Sequence, residues 1–177
     1  MGEPNHTPPK PPLGEPMWAR PIRTLLDRAE ADEPGEVTYV EQRPARTETA
    51  RLLGVAEGAP LVLRQRVVVQ DEMPWEFISL WLDPDLARAT GLDVQAPVSA
   101  SIRRLIESAA GRRFGSVAEH LIARRPTGAE AKALGLARNV PVLAILATVA
   151  DTQERPVLVV DLARPGESRE PADVYAL

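Results

Sequence analysis

One segment of the chain is echoed near its end. Residues 50–63 read Ala-Arg-Leu-Leu-Gly-Val-Ala-Glu-Gly-Ala-Pro-Leu-Val-Leu, and residues 131–144 read Ala-Lys-Ala-Leu-Gly-Leu-Ala-Arg-Asn-Val-Pro-Val-Leu-Ala. Leu53, Gly54 and Pro60 fall on Leu134, Gly135 and Pro141 at a constant offset of 81 residues. Each copy implies the same local structure. A short helix ends at Leu-Gly, where glycine supplies the left-handed C-terminal cap. A turn with proline leads into an apolar strand, 61–69 or 142–150. After a polar turn, Gln70 to Met73 or Asp151 to Arg155, a second strand opens with Pro74 or Pro156, a position that strands tolerate. Two copies are too few for a solenoid. They suit a pseudo-symmetric antiparallel sheet.

The rest of the chain fits around this unit. Residues 1–16 hold Pro4, Pro8, Pro9, Pro11, Pro12 and Pro16 and read as a disordered tail, with order expected from about residue 17. Pro21 opens a helical pattern through Ile22, Leu25, Leu26 and Ala29. Asp32 to Gly35 breaks it, and a strand is expected over 36–41. Val98, Ile102, Leu105, Ile106 and Ala109 share one face of a helix over 98–109 that ends at Gly111. Residues 115–124 carry a pattern open to strand or helix. The strand reading is preferred because Arg124-Arg125-Pro126 closes the segment and a new helix starts at Thr127. With 177 residues, 44% of them hydrophobic, the chain can bury a core as one domain.

Composition narrows the chemistry. The chain has no cysteine and only His6 and His120, which argues against disulfides, thiolate sites and a histidine metal centre. A net charge of −4 gives no basic face for duplex DNA. No apolar run reaches membrane-spanning length, and a secretory signal pattern is lacking at the N-terminus. A cytoplasmic protein without cofactor or metal, making no direct DNA contact, is expected.

The first strand of the first copy places Val62, Arg64, Arg66 and Val68 on one face. A hairpin centred on Glu72 sets Arg66 opposite Ile78 and Arg64 opposite Leu80, with no facing carboxylate. The equivalent residues of the second copy are Ile145 and Ala147, so the fold does not require arginine there. Two readings stay open: solvated arginines on an edge hairpin, or partly buried guanidinium groups that need an anionic partner such as a carboxylate or phosphate ligand.

These residues carry a resemblance. Leu-Leu-Gly-Val, then Gly-Ala-Pro-Leu-Val-Leu-Arg-Gln-Arg, Met73-Pro74 and Trp81-Leu82 resemble the first half of a UTRA domain, the effector-binding domain of GntR-superfamily regulators of the HutC subfamily. Ser101-Ile102, Glu130-Ala131, Leu134-Gly135-Leu136, Pro141-Val142-Leu143 and Asp173-Val174-Tyr175 extend the likeness over about 17–177. The resemblance implies an α+β, chorismate-lyase-like fold with a central antiparallel sheet and flanking helices, and a homodimer. It implies a non-catalytic sensor in a bacterial transcription regulator, although the winged helix-turn-helix that precedes such domains has no counterpart here. Arg66 matches an effector-holding position, and Ser101 matches a ligand-contacting serine that could equally cap its helix. Arg103 stands where many members have tyrosine. Trp18 and Arg20 fall where the N-terminal ligand loop begins, and Trp18 could instead anchor the core. Arg64 is a further candidate. Val68 and Ile78 replace a family arginine and glutamate, so the pocket is expected to take a small anionic or partly apolar effector. Two alternatives remain: a chorismate pyruvate-lyase-like enzyme, with Glu76 and Glu119 as available acids, and a dimerisation domain that binds nothing.

Overall fold

The computed structural model describes residues 21–166. Twelve elements follow in order: helix α1 (Pro21–Asp27), a 3₁₀ turn (Glu30–Asp32), strand β1 (Gly35–Pro44), α2 (Thr47–Leu53), β2 (Pro60–Gln70), β3 (Met73–Leu82), α3 (Pro84–Thr90), α4 (Ile102–Ala110), β4 (Phe114–Arg124), α5 (Gly128–Ala133), β5 (Val142–Asp151) and β6 (Pro156–Pro165). The strands form one antiparallel sheet in the order β1-β2-β3-β6-β5-β4.

The duplication is visible as geometry. The units α2-β2-β3 and α5-β5-β6 meet where β3 pairs with β6, and Ser79 lies opposite Asp161 at the local two-fold. Gly54 closes α2 in the left-handed region, with φ 67°. The first hairpin turns through Asp71 and Glu72, both at positive φ, a two-residue turn of the kind that matches strand twist. The second turns through Thr152 to Glu154, closed by the Asp151 N–H donating to the Arg155 carbonyl at 3.0 Å, with only Glu154 of this loop at positive φ. That loop is one residue longer. The offset of 81 between the copies therefore becomes 82 at Pro74 and Pro156.

Helices cover both sheet faces. Ile22 and Leu26 of α1, Ala87 of α3 and Ile102 and Ile106 of α4 pack on Val62, Ile78, Leu80, Ile145, Val160 and Leu162. On the opposite face, Ala50 of α2 packs with Leu61, and Leu134 after α5 packs with Val67, Phe77, Val142 and Ala163.

Two expectations shift at their boundaries, and one helix is new. Strand β1 runs to Pro44 rather than residue 41. The helix expected from Val98 begins at Ile102, because Ser101 caps it by accepting from the Arg104 N–H at 3.3 Å. Helix α3 was not anticipated, although Asp83 before Pro84 is a capping signal: its carboxylate accepts from the backbone N–H of Asp85 and Leu86. The tail at 1–16, Trp18, Arg20 and Asp173-Val174-Tyr175 lie outside the described residues.

Candidate functional site

Arg64 and Arg66 lie on the β2 face beneath α1, opposite Leu80 and Ile78 as the hairpin register requires. Neither is solvated: Arg64 is fully buried and Arg66 is 4% exposed. The absence of a facing carboxylate holds only within the sheet. Glu30 and Glu33 reach the two guanidinium groups from the segment after α1, Glu30 just before and Glu33 within the Asp32–Gly35 stretch that breaks the helical pattern.

Arg64 spends all its donors inside the chain. Its Nε donates to Glu30 at 3.0 Å, and its Nη2 donates to the other Glu30 oxygen and to the Ala96 carbonyl at 2.7 Å. Its Nη1 donates to the carbonyls of Leu92 at 3.3 Å and Val94 at 2.6 Å. A guanidinium has five N–H groups, so none remains for a ligand. Glu30 also accepts from the Val98 N–H at 3.1 Å. This pair fastens the 3₁₀ turn and the 92–98 loop to the sheet.

Arg66 is engaged differently. Its Nη1 donates to Glu33 at 3.1 Å, and its Nη2 donates to the carbonyls of Glu30 at 2.7 Å and Glu33 at 2.8 Å. Its Nε has no partner although it is buried. Glu33 is 22% exposed and uses its other oxygen to accept from Arg28 at 2.7 Å. Gly35 makes this arrangement possible: a Cβ there would come within 2.2 Å of the Val67 carbonyl, so only glycine lets the chain leave Glu33 and enter β1 so close to β2.

Space adjoins these groups. A cavity of about 20 Å³, the size of a water, is lined by Leu25, Arg28, Glu33, Arg66, Ile78 and Ile102 among others. Beside it opens a cleft of about 260 Å³ between α1 and the ends of β2, β3 and β6, with Thr24, Gln70, Trp75, Glu76, Ile78 and Arg164 in its wall. Glu76 accepts from Arg164 at 2.7 Å, and Arg164 lies 5.9 Å from the Trp75 ring centroid.

The remaining candidates fall elsewhere or serve packing. Ile78 is buried in the core and reaches both spaces. Ser101 caps α4. Arg103 pairs with Asp27 at 2.5 Å, linking α4 to α1, and stacks over Phe114. Ser101 and Arg103 line a separate surface depression on α4, not the cleft. Glu119 stands on β4, away from the cleft, and burial raises its carboxyl. On the opposite sheet face Thr127 and Glu130 form a capping box, and Arg124 pairs with Glu130. Burial works against the Glu130 carboxylate, but Arg124 and the Thr127 N–H overcome it and hold its carboxyl below the ordinary range. Among the described residues, no group of three His, Asp or Glu side chains is placed to hold a metal ion.

The UTRA domain family model matches residues 35–168. Helix α1 and the Glu30–Glu33 segment thus precede the matched region and roof the arginines of β2. Among solved structures, the effector domain of PhnF from Mycobacterium smegmatis is similar at 22% identity and TM-score 0.66, over 84% of this chain and 92% of that one. The C-terminal domain of YurK from Bacillus subtilis is similar at 16% identity and TM-score 0.67, over 74% and 89%. A GntR-family transcriptional regulator from Bacillus cereus is similar at 16% identity and TM-score 0.66, over 80% and 97%. At such identities the likeness is one of fold, and that fold is the α+β, chorismate-lyase-like one. No curated protein matches the chain.

Proposed function

The chain belongs to the UTRA domain family, and we propose that it is the non-catalytic effector-binding module of a HutC-type GntR regulator, acting in the cytoplasm as a homodimer. The observation that carries this reading is the cleft between α1 and the sheet. It is open, mixed in polarity, lined by Ile78 and Trp75, and adjoins the water-sized cavity that Arg66 lines, with Leu25, Arg28, Glu33 and Ile78 common to both. A small molecule with one anionic end and an apolar body fits such a lining. A lyase is less well supported, because the acid in the cleft wall, Glu76, is already engaged by Arg164. Among the described residues, no helix is long and apolar enough to cross a membrane.

The effector is sought by a thermal-shift screen of small carboxylates and phosphates, with calorimetry of each hit. Trp75→Ala is expected to weaken a true effector at least tenfold while leaving the unfolding transition cooperative. Equal affinities in the two proteins would remove the cleft from the site. Footprinting at moderate salt is expected to show no sequence-specific DNA binding by this chain alone, because a net charge of −4 works against attraction to the phosphate backbone.

A further inference from the structure

The roof of the cleft contains an acid where a ligand would bind. The Glu33 carboxylate bridges Arg66 and Arg28, one oxygen to each, and accepts from buried Arg66 through a single N–H. Carboxylates pair best with guanidinium through two parallel bonds, one of which commonly uses Nε. Here Nε of Arg66 is buried without a partner, and Arg66 lines the water-sized cavity next to the cleft. The oxyanion seat of Arg66 is thus only half filled, by a side chain that is itself 22% exposed and borders open space.

We propose that Glu33 is a resident competitor for this seat, and that the seat accepts the carboxylate of a small ligand which displaces it. The proposal rests on the effector-binding reading and adds the class of ligand and the element released. Charge selects the class. The charged residues described in the lining of the two spaces are Arg28, Arg64, Arg66 and Arg164 against Glu30, Asp32, Glu33 and Glu76, four of each sign. Swinging Glu33 outward leaves one positive charge uncompensated, which suits a monoanion. A dianionic phosphate would face Glu30, Asp32 and Glu76 with one charge in excess. Displacement also removes the side-chain tie from Glu33 to Arg66. The turn would then remain fastened through Glu30 and the backbone carbonyls, which makes residues 30–35 the segment that loosens.

The test uses acetate as probe on the full chain, with chloride and inorganic phosphate at matched ionic strength. Glu33→Ala is expected to lower the thermal midpoint. Acetate is expected to restore it, with half-effect at a concentration at least tenfold below that needed to act on the unsubstituted protein, and with little response to phosphate. Hydrogen exchange of the amides within 30–35, all but that of Pro34, which has no N–H, should quicken in the acetate-saturated unsubstituted protein. Should Glu33→Ala not fold, Glu33→Gln, which keeps the shape without the charge, must show the same acetate preference. Acetate acting no better than chloride in these variants would overturn the seat, as would a stronger response to phosphate. Unchanged exchange at 30–35 with acetate bound would overturn displacement. Trp75→Ala should leave the acetate response intact, so failure to find an effector for the cleft and failure of the seat are read separately.

Discussion

Arg64 and Arg66 share a strand face, yet their environments divide their roles. Arg64 is fully buried and holds Glu30 together with three loop carbonyls. Removing one member of a buried ion pair strands the other, so Arg64→Ala is expected to cost about 3–5 kcal/mol in urea unfolding. Replacing both partners, Arg64→Leu with Glu30→Leu, removes the stranded charge and should recover part of this. Recovery stays incomplete because the carbonyls of Leu92, Val94 and Ala96 lose their donor. Arg66 corrects an inference drawn from the repeat. Its counterpart Ala147 is buried and apolar, which suggests that alanine is harmless at Arg66. Ala147, however, sits in the apolar cluster with Ile102, Ile106, Ile145 and Leu162. Arg66→Ala would take from the partly exposed Glu33 one of its two guanidinium partners and from the Glu30 and Glu33 carbonyls a buried donor, so a loss of about 1–3 kcal/mol is expected in the same measurement. A cost indistinguishable from zero would show that the roof contributes nothing to the fold.

At the scale of the element, the two hairpins show how one supersecondary unit accepts different turns. The second depends on Asp151, which is buried. Burial works against its charge, but the backbone N–H of Arg155 and Gln153 and the guanidinium groups of Arg112 and Arg155 hold its carboxyl well below the usual carboxylate range. A carboxyl lowered in the folded state stabilises above its unfolded value, about 3.9, and that stability is lost as pH falls below it toward the folded value. Asp151→Asn is therefore expected to melt below the unsubstituted protein at pH 7, with the gap closing as pH drops under about 4. A gap constant from pH 7 to pH 3 would show that the charge of Asp151 is not what holds the turn.

For the whole molecule, the contrast between the sheet's two edges suggests how copies assemble. Edge strand β1 carries Glu36, Glu41, Arg43 and Pro44 and a bulge between Val37 and Tyr39, features that discourage further strand pairing. Between its ends, edge strand β4 carries Glu119 as its one charged residue, no proline, and a bulge only at its start between Phe114 and Ser116. It is exposed along nearly its whole length, with Leu121 at 64% and Ile122 at 53%, and it includes three of the large exposed hydrophobic residues, the third being Val117. Antiparallel pairing of β4 with its own copy satisfies the free edge through a two-fold axis and needs only this chain. The proposed homodimer is accordingly expected to form through β4. Sedimentation should show a dimer at micromolar concentration, and Leu121→Glu with Ile122→Lys should give a folded monomer. A dimer unaffected by those changes would place the interface elsewhere.

The sequence by itself determined what depends on local period and on the repeat. Alternation on β2, with the hairpin centre at Glu72, set the pairs Arg64 with Leu80 and Arg66 with Ile78, because a strand has only two faces and a tight turn allows one register. The Leu-Gly caps, the strand at β4 and the start at Thr127 were legible for the same reason. The partners of the arginines were not. Glu30 and Glu33 lie 34 and 33 residues from Arg64 and Arg66, in an irregular segment with no periodicity to fix where its side chains point. Their place follows from α1 docking on the sheet and from the close backbone approach at Gly35. The acidic stretch Glu30 to Glu33 was the available signal, since buried arginines require carboxylates and these were near. Tertiary structure alone decided that the anion beside Arg66 comes first from the chain itself, because side-chain pairing across a packed layer depends on how elements lie against each other.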